Sequence, residues 1–203
     1  MSRVLLASRN QKKLAELRRI FGVLLRDVEV LGLDDVEPYE EKPESGETFA
    51  DNALIKAREG FARTGVATVA DDSGLCVDAL HGMPGVLSAR WCGRHGDDEA
   101  NLQLLLGQLA DTPDERLGGA FECAVAYVDG PTELVVHGRM PGRLIREKRG
   151  SNGFGYDPIF VPDGHGVTSA QLPSEEKDAI SHRGKALRAL AERLRRLGTS
   201  QPG

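Results

Sequence analysis

Apolar positions along the chain follow two rhythms, and the places where one gives way to the other mark the elements. "RVLLAS", Arg3 to Ser8, is a continuous apolar run of the kind a buried strand carries. "NQKKLAELRRIFGVL" then takes up helical spacing, with Leu14, Leu17, Phe21 and Leu24 on one face. "VEVLGL" is a second strand. An acidic loop from Asp34 to Glu47 leads to a helix over Phe49 to Thr64, stopped by Gly65. "VATVA" is a third strand, expected to end at the adjacent aspartates Asp71 and Asp72. After "LCVDAL" the turn-rich "HGMPGVLSARWCG" precedes a helix in "DDEANLQLLLGQLA", capped by Asp97 or Asp98.

"AFECAVAYV" and "ELVVHGRM" flank "DGPT" as the arms of a hairpin. The glycine-rich loop Gly150 to Pro158 comes before a short strand, "IFV". The last segment, "SEEKDAISHRGKALRALAERLRRL", is helical by spacing, with Ser181 placed to restart the helix and Gly198 to stop it. Strands alternate with helices early and pair as hairpins late, which predicts an α/β fold around a mixed sheet. One domain is expected over 1–198, with a disordered tail over 199–203.

Charge narrows the range of functions. Lys and Arg number 26 against 31 Asp and Glu, for a net charge of -5, and no basic tail of the nucleic-acid-binding kind is present. No apolar run approaches the ~20 residues of a membrane span, and the first residues lack the apolar core of a signal peptide. A cytoplasmic protein without nucleic-acid or membrane partners is expected. Cys76, Cys92 and Cys123 are too widely spaced for a zinc or redox motif and are expected as reduced, buried side chains.

Four polar constellations stand where a strand is expected to end or a helix to begin, the places where α/β sheets collect ligands. In "SRNQKK", Ser8 to Lys13, free backbone N–H groups and the helix dipole favour an anion, and Lys13 adds a charge suited to phosphate. The plainer alternative is that Asn10 caps the helix and Lys12 and Lys13 face water. The pair Asp71 and Asp72 would repel one another when buried, which raises a pKa or demands a cation such as magnesium. Glu44 is a candidate second ligand, with Glu40, Glu41 and Glu47 as alternatives, and the pair would otherwise form a turn before Ser73 and Gly74. In "SNGFGYDPIF", glycines on either side of Phe154 allow close backbone approach and the ring can stack on a base, unless Phe154 and Tyr156 simply fill the core. "EEKDAISHRGKAL" contributes Lys177, His182 and Arg183.

In order and spacing, "LASRNQKK", "TFADNALIKA", "DDSGLCVDAL", "GMPGVLSARW", "GFGYDPIF" and "EEKDAISHRGKAL" resemble the inosine/xanthosine triphosphate pyrophosphatase family nearly end to end. The resemblance implies an elongated α/β fold with a central mixed sheet flanked by helices, two lobes around a substrate cleft, and a homodimer. It also implies magnesium-dependent cleavage of non-canonical purine nucleoside triphosphates to monophosphate and pyrophosphate. By the same resemblance Ser8, Arg9, Asn10, Gln11, Lys12 and Lys13 form the triphosphate loop, with Ser8, Asn10 and Lys13 matching the family pattern. Asp72 matches the catalytic carboxylate and metal ligand, Glu44 the second ligand and Ser73 a substrate contact. Phe154, Gly155, Tyr156 and Asp157 match the base-binding loop, and Lys177, His182 and Arg183 the later substrate contacts. Arg9 and Asn152 stand where the family often has glycine. A non-catalytic nucleotide sensor, or a pyrophosphatase for pyrimidine or modified nucleotides, is the competing expectation.

Overall fold

The computed structural model describes residues 2–199; of the tail expected over 199–203, residues 200–203 lie outside the described residues. The chain runs β1 (Ser2–Leu6), α1 (Gln11–Leu24), β2 (Val28–Leu31), α2 (Phe49–Thr64), β3 (Thr68–Val77), α3 (Asp98–Gln108), β4 (Gly118–Val128), β5 (Glu133–Leu144), β6 (Phe160–Pro162), α4 (Ser174–Ile180) and α5 (His182–Thr199). The strands form one sheet in the order β2-β1-β3-β4-β5-β6. β1 is parallel to β2 and to β3, while β6 is antiparallel to β5, so the sheet is mixed, as expected.

Local signals account for the helix bounds. Asn10 Oδ1 accepts the Lys12 and Lys13 amides and caps α1. α2 opens on a reciprocal capping box between Thr48 and Asp51 and closes on Gly65 at φ 66°, a left-handed position that glycine adopts without strain. Asp97 caps α3 through Ala100 N–H. Ser181, in extended backbone, separates α4 from α5 at the position expected for a restart.

By packing, the chain divides into one unit of Met1–Asp72, Cys123–Gly138 and Arg183–Gly203 and another of Ser73–Glu122 and Arg139–His182. In the first unit, strand alternation sorts side chains onto two faces. Val4, Leu6, Val69, Cys123 and Val125 pack with Leu14, Leu17 and Phe21 of α1 and Leu187 and Leu190 of α5. Ala7, Ala70, Ala124 and Ala126 pack with Ala53 and Ala57 of α2. The alanines on this second face let α2 lie close to the sheet. The second unit has its own core, in which Leu75 and Val77 of β3 meet Leu102 and Leu105 of α3, Met140 of β5, and Tyr156, Ile159 and Phe160. Each fully buried large apolar side chain contributes about 1.5–3 kcal/mol. No helix among the described residues is long and apolar enough to cross a membrane.

Candidate active site

The aspartate pair does not end a strand. β3 continues from Thr68 through Asp71, Asp72, Ser73 and Gly74 to Val77, which corrects both the expected strand end and the turn alternative. Ser73 and Gly74 look like turn residues in sequence, but Gly74 is a packing requirement: a Cβ there would collide with Gly85 O and Ser88 Oγ. β1 pairs with β3 only as far as Leu6↔Val69, so the two carboxylates follow immediately where β1 has ended. β1 connects to β2 on one side and borders β3 on the other, the switch point at which open α/β sheets hold ligands.

Adjacent strand residues point to opposite faces, so the two carboxylates have different bonded partners, although the charges of Lys13 and Lys56 each reach both. Asp71 follows Val69 onto the face of α1 and α5 and is 3% exposed. Its Oδ2 lies 2.9 Å from Lys13 Nζ and accepts from Arg183 Nε at 3.0 Å. Arg183 Nη1 donates in turn to Glu16 Oε2 at 3.1 Å. The result is a chain of alternating charge, the half-buried Lys13 followed by the buried Asp71, Arg183 and Glu16, in which Lys13 and Glu16 share one turn of α1. Burial alone would raise the Asp71 pKa, but Lys13, Arg183 and Lys56 together hold it well below the usual carboxylate range. Burial works against the Arg183 charge, and Asp71 and Glu16 more than restore it.

Asp72 follows Ala70 onto the face of α2. Asn52 Nδ2 donates to its Oδ2 at 2.9 Å. Lys56, one turn further along α2, has its Nζ 2.6 Å from Glu44 Oε1. Burial pushes the Asp72 pKa up, Lys56 pulls it down, and the Glu44 charge pushes it up again, leaving it raised. Burial lowers the Lys56 pKa, yet Asp72, Glu44 and Asp71 raise it overall, so Lys56 is the internal counter-charge of this group. The repulsion expected between Asp71 and Asp72 is found between Asp72 and Glu44 instead. Among the described residues no cluster of three or more His, Cys, Asp or Glu surrounds one point. Two mutually repelling carboxylates fit magnesium, which takes one or two protein carboxylates and completes its shell with phosphate oxygens and water.

The other expected residues of the phosphate loop are held as follows. Ser8 Oγ accepts the Asn10 amide at 3.2 Å. Arg9 pairs with Glu41 of the acidic loop, and Gln11 Nε2 donates to Asp34 Oδ2 at 3.4 Å. Of the alternative acidic-loop residues, Glu41 is therefore engaged with Arg9. Lys12 gives its amide to the Asn10 cap.

In the second unit, Asp157 is 3% exposed, accepts the Phe154 amide at 2.9 Å and pairs with Lys177. The Lys177 ammonium also lies 5.7 Å from the centre of the Phe154 ring. Gly153 takes φ 76°, and a Cβ there would run into the Asp157 carboxylate, so the loop folds over Asp157 only with glycine at that position. Gly155 donates its amide to Asp98 Oδ2 at 2.9 Å. Tyr156 is buried and donates its hydroxyl to Ser88 O at 2.9 Å, as a core residue does. His182 stacks on Phe121 with centroids 5.0 Å apart, and Ser73 is half-buried in β3. The loop around Phe154 is thus organised by Asp157 and Lys177 together.

Sequence reasoning missed Glu16, Asn52 and Lys56. Each carried a signal: Glu16 follows Lys13 by one helical turn, and Asn52 and Lys56 are spaced i, i+4 on α2, so each pair shares a helix face.

The Ham1 family model matches residues 4–193. A dITP/XTP pyrophosphatase of Nocardia farcinica is 62% identical over 96% of this chain and 95% of its own length. The crystal structure of a nucleoside-triphosphatase, dITP/XTP pyrophosphatase, from Mycobacterium abscessus is 63% identical and superposes with TM-score 0.76, covering 93% of this chain and 98% of that one. The Ham1 protein of Staphylococcus aureus is 36% identical with TM-score 0.86, covering 96% of this chain and 98% of that one. The resemblance drawn from the motifs is borne out over almost the whole sequence, and the chain belongs to the Ham1 family.

Proposed function

We propose that this chain hydrolyses non-canonical purine nucleoside triphosphates, namely dITP, ITP, XTP and dXTP, to the monophosphate and pyrophosphate. It thereby keeps them out of DNA and RNA. The names of its relatives support the reaction class. The observation that carries the assignment of residues is the division of labour at β3. Asp71 is neutralised by Lys13 and Arg183, whereas Asp72 is placed with a second carboxylate, Glu44, and has a raised pKa.

In this reading Asp72 accepts the proton of the water that attacks the α-phosphorus, a role that suits a carboxylate whose pKa is raised towards neutrality. Asn52 orients it. Lys13, held by Asp71 at the start of α1, faces the departing pyrophosphate, with Ser8, Arg9, Asn10, Gln11 and Lys12 completing the phosphate loop. Asp72 and Glu44 are the residues that would hold magnesium, and the ion would supply neutralisation of the phosphate charge. Lys56 keeps these two carboxylates together before the ion arrives.

Ser73, Phe154, Gly155, Tyr156, Asp157, Lys177, His182 and Arg183 serve the nucleoside. Of these, Asp157 and Tyr156 act by shaping the loop, because both are buried and bonded within it. Hypoxanthine and xanthine present an acceptor at purine position 6 where adenine presents a donor, so a donor from His182 favours the 6-oxo bases, with Arg183 adding only the N–H groups that its bonds to Asp71 and Glu16 leave over. The family resemblance supports a cytoplasmic location and a homodimer, and light scattering at twice the chain mass would bear out the dimer. Product analysis with dITP, ITP, XTP, GTP and ATP, with and without magnesium, tests the whole reading. Monophosphate and pyrophosphate from the non-canonical purines, only with magnesium, is the expected result. Orthophosphate release or equal turnover of ATP would overturn it.

A further inference from the structure

Asn52 is fully buried in the first turn of α2, and both ends of its amide are used. Nδ2 donates to Asp72 Oδ2 at 2.9 Å, and Oδ1 accepts the Gly46 backbone N–H at 2.8 Å. Chemistry decides which way the amide points. Only its NH2 can donate to a carboxylate and only its carbonyl can accept a backbone N–H, so a flip would lose both bonds.

Gly46 belongs to the acidic loop and follows Glu44 by two residues. That loop has neither helix nor strand between residues 36 and 48. It is tied down by Arg9 to Glu41, by Lys42 Nζ to the buried Glu59 at 2.6 Å, and by Lys56 to Glu44. At Gly46 the backbone itself is seated on α2: a Cβ there would lie 2.8 Å from Asn52 Oδ1 and 2.9 Å from Asn52 N. Only glycine permits so close an approach.

We propose that Asn52 is a positioning residue that fixes two carboxylates from different segments at one separation. It holds Asp72 through its amide nitrogen and Glu44 through the backbone of the acidic loop. Both are thereby arranged before a cation or nucleotide arrives. The inference rests on reading Asp72 and Glu44 as the reacting centre. Its physical content is preorganisation: a cation then meets ligands already in place and does not have to order a loop.

Three variants test it. Asn52→Leu keeps the branching at Cγ and the number of heavy atoms and removes both hydrogen bonds. Gly46→Ala keeps every side chain of α2 and pushes the loop off its first turn, because the added Cβ would meet Asp51 Cβ and Asn52. Asp72→Asn removes the carboxylate. Hydrogen exchange over residues 40–48 and Mn2+ binding followed by electron paramagnetic resonance, both without nucleotide, are read beside kcat and KM. For Asn52→Leu, Mn2+ affinity and kcat are expected to fall roughly 10- to 100-fold, with faster exchange in the loop and a smaller change in KM. Gly46→Ala should show the same faster exchange and weaker Mn2+ binding even if Asn52→Leu fails to fold. Native exchange and Mn2+ affinity in a folded Asn52→Leu or in Gly46→Ala would overturn the clamp. If Asp72→Asn is inactive in that case, only the clamp is lost. Full turnover by Asp72→Asn would overturn the site assignment and the clamp with it.

Discussion

Two neighbouring aspartates of the same strand have opposite electrostatic surroundings, and substitution should separate them. Asp71→Asn removes the charge that Lys13 and Arg183 share, leaving buried cations without their partner, which costs about 3–5 kcal/mol. Asp72→Asn relieves repulsion from Glu44 and should leave Tm unchanged or raised, while kcat falls roughly 10²- to 10⁴-fold. Thermal melts and steady-state kinetics on the two proteins check this. Loss of stability in Asp72→Asn equal to that in Asp71→Asn would contradict the division. Glu16 belongs to the structural side of this contrast, since it balances Arg183 from the same helix that carries Lys13. Here a residue that repels its neighbour on paper is satisfied by cations on a face the neighbour does not share.

Among the elements, α2 is the most completely specified by local signals. Thr48→Ala should destabilise by about 1 kcal/mol through the lost cap, and Gly65→Ala by a similar amount through its left-handed backbone; urea unfolding measures both. These bounds were legible in the sequence, as were the Asn10 cap, the Asp97 cap and the break at Ser181, because each depends on side chains within a few residues. The phosphate-loop residues could be named for the same reason. The course of β3 was not legible. Asp71, Asp72, Ser73 and Gly74 all favour turns locally, and what keeps them extended is distant: Lys13 and Arg183 around Asp71, Asn52 beside Asp72, and the close approach of residues 85 and 88 to Gly74. Asn52 and Lys56 were overlooked because a polar residue on a helix ordinarily faces water, and only the fold shows these two turned inward.

Across the whole molecule, paired carboxylates set how stability depends on pH. The buried Asp71, with smaller contributions from the solvent-screened Asp97 and Glu99, has its pKa lowered by folding, so this stabilisation is complete above the unfolded value of about 4 and is lost as pH falls below it. Asp72 has the opposite sign. Its pKa is raised, so the folded state binds its proton more readily, and stability rises as pH falls from neutrality towards about 4. The expected curve of Tm against pH therefore has its maximum in mild acid and a steep fall below about pH 4. In Asp72→Asn the mild-acid rise should disappear while the steep fall remains. Calorimetry across that range in the absence of divalent ions reads both limbs. Because β3 sorts its side chains by parity, the chain is more tolerant of altered letters than of altered length in this stretch. Losing one residue between 66 and 70 would exchange odd for even, turning each aspartate to the other's partners, whereas losing two would restore the frame.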